Sequence, residues 1–211
     1  MSGWQALRYD DYRLMQWKNG AGMTREILRY PPEDDDFQWR LSMAEVAQAG
    51  EFSAYHGYQR LLSVLRGSGM ALRIDAAPAK TLYAFDTQAF SGDSRVDSEL
   101  VDGPILDFNL IYQAEYFNVT LRWLTIGAQE QYQLNPDVTT LIFSAASNLT
   151  LSSTVTPRLL LQRYDCAILP PQSLHSDLLN LQINGSGYWS LLELRSIEDR
   201  PHITSSPRLK G

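Results

Sequence analysis

A few polar side chains alternate with apolar ones along extended stretches of this sequence, and they are where its chemistry must lie. Arg40 and Ser42 share one face of a segment whose other face is Trp39, Leu41 and Met43. Asp107 and Asn109 alternate in the same way with Phe108 and Leu110, and Thr24 and Glu26 share a face opposite Arg25. Guanidinium groups on such faces bind anions bidentately, while carboxylates and amide oxygens receive N–H or hydroxyl donors. Lys18 and Asn19 open a glycine-containing turn, Lys18-Asn19-Gly20-Ala21-Gly22, whose backbone N–H groups can cradle an anion. The same turn can equally be a hairpin in which Asn19 takes left-handed geometry. Structural roles compete at the other positions too. Arg25 or Arg40 can pair with Glu26 or Glu45, and Asp107 and Asn109 can stabilise the turn after Pro104. If Trp39, Leu41 and Met43 pack into the core, Arg40 lies outside; if the interior is a polar pocket, Arg40 lines it.

Metal and nucleophile chemistry has little to draw on. His56, His175 and His202 lie far apart in sequence, so no local ligand cluster is written, and no metal or other cofactor is expected. Cys166 sits in the apolar run CAIL and reads as a buried, inert thiol. Nucleotide-binding glycine loops, the G-x-S-x-G elbow and C-x-x-C are all missing. Pro31 to Asp36 is acidic but lacks the glycine and terminal Glu of an EF-hand, so it reads as a solvated turn.

The elements that must position these residues are strands. Tyr116–Thr125 alternates with a period of two, Phe117, Val119, Leu121 and Trp123 facing one way. Further strands are expected at Thr24–Tyr30, Phe37–Val46, Val138–Ser144, Arg158–Gln162 and Cys166–Leu169. Hairpins are expected around Gly67-Ser68-Gly69 and around Asn184-Gly185-Ser186-Gly187, where paired glycines supply positive φ. Phe90 to Pro104 reads as a polar surface loop able to cover a pocket, and the stretch from Ile197 onward as a loosely packed tail. No amphipathic helix of twelve residues is written, so the fold class is all-β, a sandwich or barrel.

The 211 residues carry 18 basic and 24 acidic side chains, a net charge of −6, which argues against nucleic acid or an anionic membrane as partner. No apolar run reaches the ~18 residues of a membrane span. One cysteine and a charged N-terminal segment, MSGWQALRYDDYRL, point to a cytoplasmic protein.

Two spacings resemble the paired motifs of the cupin superfamily. Gly50 is followed after five residues by His56, Tyr58 stands where that family's second metal-binding His belongs, and Arg60, seven residues before Gly67, takes the place of its Glu. Pro170 to His175 partly matches the second motif. More than a hundred residues separate the two, which two double-stranded β-helix (cupin, jelly-roll) barrels in tandem would explain. The expected division is 1–112, 113–196 and a tail, 197–211. An arginine in a metal-ligand position disfavours metal and suits a carboxylate.

The N-terminal half is more specific. Trp17-Lys18-Asn19-Gly20-Ala21-Gly22-Met23-Thr24-Arg25-Glu26-Ile27 resembles the W-K-N-G-G-G-x-T-R-E-I signature of the HutD/Ves family. Trp39–Val46 resembles its W-R-L-S-x-A-x-V strand. Gly50–Ser53, Arg60–Leu62, Leu65–Gly69 and Gly103–Leu110 follow in the family's order. Ala21 departs from the usual glycine, and the match weakens beyond residue 110. The resemblance implies a bicupin with kinship to proteins of histidine utilisation, where a ligand-binding governor role has been proposed, and to the stress-associated Ves; no established catalytic activity comes with it.

The expected function is therefore metal-independent binding of a small carboxylate metabolite, as a regulator in histidine utilisation or stress. Its ligand-binding residues are expected among Lys18, Asn19, Thr24, Glu26, Arg40, Ser42, His56, Arg60, Asp107 and Asn109, with Arg60 the preferred carboxylate anchor. The alternative is a metal-independent isomerase or epimerase with His56 or Tyr58 carrying the proton. Monomer and homodimer are both compatible with such a bicupin.

Overall fold

The structure is a computed structural model, and it describes residues 3–17, 22–32, 36–127, 129–146, 148–153, 157–171 and 179–197. Among these residues there is one short 3-10 turn, Tyr9–Asp11, and no α-helix; everything else regular is strand. Among the described residues no helix is long and apolar enough to cross a membrane.

Four antiparallel sheets carry the chain. The largest has six strands, in the spatial order Arg13–Gln16, Gly22–Tyr30, Trp39–Val46, Ile105–Tyr112, Gln59–Arg66 and Thr87–Ser91. A four-stranded sheet, Gly50–Glu51, Val96–Leu100, Met70–Ile74 and Lys80–Leu82, faces it. The later chain repeats this plan. A five-stranded sheet (Gln5–Leu7, Cys166–Leu169, Thr139–Ser144, Gly187–Ser196, Phe117–Ile126) faces a four-stranded one (Gln129–Leu134, Leu179–Gly185, Asn148–Ser153, Leu159–Gln162). Gln5–Leu7 is the exception to sequence order. Although it precedes the strands of the early half, it pairs with Cys166–Leu169 and so edges the later half.

The two larger sheets pack against each other, which gives the molecule three apolar layers rather than one. The middle layer joins Trp39, Leu41, Met43, Phe108 and Leu110 of the early half to Phe143, Leu192 and Leu194 of the later half. The later half encloses a second layer built on Leu149, Leu151, Leu161, Ile183 and Trp189. A third, around Leu62, Val64, Met70, Leu72 and Val96, fills part of the early half. The six-stranded sheet is thus covered on both faces, and every residue of Ile105–Ile111 is buried.

Two expectations about turns are corrected. The strands either side of Gly67-Ser68-Gly69 do not pair with each other: Gln59–Arg66 belongs to the six-stranded sheet and Met70–Ile74 to the sheet facing it. The same holds for Leu179–Gly185 and Gly187–Ser196 in the later half. At each corner two glycines with positive φ (110° and 120° at Gly67 and Gly69, 152° and 102° at Gly185 and Gly187) turn the chain from one sheet to the other. A Cβ on Gly67 would stand 2.7 Å from the Ile105 side chain, so the corner is also closely packed. Glycine spacing marks the reversal, but inward apolar residues on both flanking strands draw them to opposite walls of one core. The expected loop over Phe90–Pro104 instead carries strand at Phe90 and Ser91 and over Val96–Leu100, with Val96 and Ser98 buried. Its polar residues alternate with inward ones, a pattern that pairing with Met70–Ile74 stabilises. Of the acidic stretch, Glu33–Asp35 lie outside the described residues, as does the tail beyond Ile197.

The middle layer is the largest mechanical link between halves. Phe108 is fully buried, with ring centroids 4.8 Å from Phe143 and 5.3 Å from Trp123, both in the later half. Phe108→Ala is expected to lower unfolding stability by about 3–5 kcal/mol, measured by urea denaturation. Leu14→Ala, at a half-exposed position, should stay within about 0.5 kcal/mol. Equal, small losses at both positions would contradict this packing.

Candidate functional site

A cavity of about 520 Å³ opens in the early half, between the six-stranded sheet and the Gly50–Glu51 and Val96–Leu100 strands. Its floor follows from strand alternation. On Trp39–Val46, the side chains opposite Trp39, Leu41 and Met43 are Arg40, Ser42, Ala44 and Val46, and all four line the cavity. On Ile105–Tyr112, Asp107 and Asn109 do so; on Gln59–Arg66, Arg60. The choice posed for Arg40 dissolves, because both faces of this sheet are interior: the apolar trio fills the layer between the halves and Arg40 faces the cavity.

Register arranges these groups in rows. Arg40 and Arg60 both pair with Ile111, one from each side of the central strand. Two strand spacings, about 9–10 Å, therefore separate their Cα atoms. Ser42 and Asn109 form the next row, and Ala44 and Asp107 the one after.

The arginines are held by aromatic rings and carbonyls instead of carboxylates. Arg40 donates from Nη2 to the Tyr55 hydroxyl at 2.7 Å and lies 4.9 Å over Phe37 and 5.2 Å over Tyr55. Arg60 donates from Nη1 to the Ser53 carbonyl at 3.1 Å, with Phe90, Phe52 and Tyr55 rings 5.0, 5.1 and 5.5 Å from its guanidinium. These faces supply cation–π stabilisation without neutralising the charge. Among the described residues no carboxylate lies within ion-pair distance of either arginine. Arg60 is only 4% exposed, and the Nε atoms of both arginines and Oδ1 of Asn109 are buried without a hydrogen-bond partner. Among the described residues, the other buried side-chain polar atoms in that state, on Thr140, Trp189 and Ser190, belong to the later half.

Burial pulls the Arg60 guanidinium down to about 10, with Asp107 and Tyr55 opposing the shift and Arg40 adding to it, so it stays cationic at neutral pH. Burial also pushes the Asp107 carboxyl up to about 7, against the pull of Arg60 and of the Ala44 N–H, which donates to Oδ1 at 3.0 Å. The floor therefore runs from two cations, through a hydroxyl and an amide, to a carboxyl that titrates near neutrality.

The other expected residues fall elsewhere. Thr24 lines the cavity, its Oγ1 accepting from Trp17 Nε1 at 2.8 Å. Glu26 does not: a backbone irregularity follows it, and its carboxylate takes both Nε and Nη2 of Arg29, at 2.8 and 2.6 Å. None of the pairings expected of Arg25 and Arg40 with Glu26 and Glu45 forms: Arg25 stacks 4.5 Å over Tyr9, Arg40 donates to Tyr55, and Glu45 meets Arg66 at 3.8 Å. His56 is on an exposed turn, bonded through Nδ1 to Asp93 at 2.9 Å, and does not line the cavity. That bond, with the Gly57 N–H, holds the Asp93 carboxyl below the usual range. Tyr58 donates its hydroxyl to the Phe37 carbonyl, also away from the cavity. The isomerase alternative thus loses both of its named proton carriers from the site. Lys18, Asn19, His175 and His202 lie outside the described residues. Tyr55, wedged between the two arginines, was missed; its one signal was an aromatic inside the motif segment that begins at Gly50.

The residues do not fit a metal centre. Among the described residues no three His, Cys, Asp or Glu side chains converge, and Arg60 brings a fixed cation to the position where a ligand would stand.

Asp107 ties stability to pH. Its folded-state value near 7 exceeds the unfolded value of about 3.9. The proton it holds therefore stabilises the fold fully at low pH, and that contribution is lost as pH rises from about 4 to beyond 7. Its full size is on the order of 4 kcal/mol. The other titratable groups on the cavity wall are Arg40, Arg60, Tyr55 and Glu51. Asp107→Asn is expected to remove most of the stability difference between pH 5 and pH 8, measured by urea denaturation; an unchanged difference would contradict the placement of this carboxyl.

Comparison with known proteins agrees with this architecture. The HutD family model matches residues 9–188. An uncharacterised 21.2 kDa protein in the hutC 3′ region of Pseudomonas putida is 41% identical over 197 residues, 93% of this chain and 100% of that protein. Protein Ves of Escherichia fergusonii is 38% identical over 109 residues, 50% of this chain and 57% of Ves. Among solved structures, a conserved protein of unknown function from Pseudomonas aeruginosa PAO1 has a TM-score of 0.83 at 38% identity, covering 92% of this chain and 100% of its own. HutD from Pseudomonas fluorescens SBW25 has a TM-score of 0.78 at 33% identity, with the same coverage. Likeness of fold alone extends to the oxalate decarboxylase of Lactobacillus farciminis, with a TM-score of 0.67 at 8% identity over 92% of this chain and 86% of that one. Four sheets in double layers, the signature segments and these matches lead to one conclusion: the chain belongs to the HutD family and has a cupin-type, all-β fold.

Proposed function

We propose that this protein binds a small carboxylate metabolite, without a metal, in the cavity of its early half, and that Arg40 and Arg60 receive the carboxylate. One observation carries this reading. Two guanidinium groups share one cavity, and among the described residues each makes a single hydrogen bond and neither is paired to a carboxylate. Each has five N–H donors in a planar fork that matches a carboxylate. Leaving such donors buried and unfilled is unfavourable, and an incoming anion relieves it.

The binding serves regulation instead of turnover. The hutC 3′ location in the name of one relative supports carboxylates of histidine breakdown as the first candidates. The formate condition named for the Pseudomonas fluorescens structure makes formate a natural small probe.

Urocanate, histidine, glutamate and formate are the test panel, with chelator present. A bound carboxylate at 100 times its Kd adds about 2.7 kcal/mol, roughly 5–10 °C in Tm for a chain of this size. The shift is expected to vanish in Arg60→Ala and Arg40→Ala and to persist in His56→Ala. Retention of the full shift in both arginine variants would remove the proposal.

A further inference from the structure

The floor of the cavity is polar at both ends, and the two ends differ in kind. Asp107 lies four residues along the central strand from Ile111, the residue that the arginines flank, which is about 13 Å of backbone. Between them sits Asn109, 8% exposed, whose carboxamide makes no hydrogen bond with the described residues and whose Oδ1 is wholly enclosed. Among the described residues only one oxygen of Asp107 is engaged, by the Ala44 N–H. A simple carboxylate satisfies the arginines and leaves this end unmet. The other carboxylate on the wall, Glu51, is largely exposed and lies 3.6 Å from Arg95, so it offers no comparable buried acceptor.

Resting on the reading of Arg40 and Arg60 as the carboxylate anchor, we infer that the ligand is bipolar: its far end presents an N–H or ammonium donor to Asp107 and Asn109. The ligand class is that of amino-substituted carboxylates, with the nitrogen remote from the acid. Length selects within the class, because the two ends are fixed by strand register in a sheet buried on both faces.

The probes are matched pairs: the linear ω-amino acids from 3-aminopropanoate to 6-aminohexanoate, each against the unsubstituted carboxylate of the same length. Calorimetric titration at pH 7 with chelator is expected to show at least one amino acid binding tenfold or more tightly than its partner. In Asp107→Asn and in Asn109→Leu that advantage falls to threefold or less, each amino acid being compared with the unsubstituted carboxylate in the same variant. Thermal melts of both variants confirm that they fold. If the unsubstituted acids bind and no amino group adds affinity, or the advantage survives both variants, the bipolar ligand is wrong and the arginine anchor stands. If no carboxylate of either series binds, both readings fall together.

Discussion

A strand buried on both faces must assign each of its residues to one of two interiors, and Ile105–Tyr112 does this for the whole molecule. Its odd-numbered side chains, Ile105, Asp107, Asn109 and Ile111, belong to the early half, and Leu106, Phe108 and Leu110 to the layer between the halves. Trp39–Val46 and Gln59–Arg66 pair with it on either side and inherit the same division. A slip of one residue would send Asp107 and Asn109 into the apolar layer and Phe108 into the cavity, so the register is strongly fixed. The polar floor is therefore rigid because its back is an apolar interface.

This arrangement explains why the interior of the early half is polar around its cavity, whereas the described interior of the later half is apolar. The later half's cavity, lined by Gln131, Ser152, Ser153, Asn180 and Gln182, lies against the polar faces of its strands. In the later half the corresponding interior is filled by leucine, isoleucine and Trp189. In the early half, Arg40, Ser42, Arg60, Asp107 and Asn109 replace such residues, and the apolar contacts of Leu62, Val64, Met70 and Val96 occupy only the remainder. Gly67 and Gly69, like Gly185 and Gly187, close the two halves by the same corner. The plan is repeated, and one copy has its interior given over to polar groups.

Much of this was legible in the sequence, for a physical reason. Strand alternation is local, so the shared faces of Arg40 with Ser42 and of Asp107 with Asn109 could be read directly. Which of two interiors each face meets is decided by tertiary packing, and no local pattern encodes it. The same limit explains the glycine corners: paired positive φ values mark a reversal, whereas hydrogen-bond partners come from strands distant in the chain. Glu26 shows a second limit. It pairs with Ser42 as Thr24 does with Ala44, on the one face expected, but its partner, Arg29, is reached across an irregularity that the residue types do not announce. His56 was singled out by spacing alone, and its side chain is 84% exposed.

The central claim is that the buried Arg60 and the partly buried Arg40 are retained for a ligand and not for the fold. Charges buried without a partner lower stability, and well-packed apolar replacements are often neutral or stabilising. The most direct test is the Tm of Arg60→Met without ligand, at pH 6, where Asp107 holds its proton. The account predicts a Tm equal to or a few degrees above that of the unaltered protein. A fall of roughly 5 °C or more, about 1–2 kcal/mol for a chain of this size, would mean that Arg60 holds the structure together, and would contradict the account.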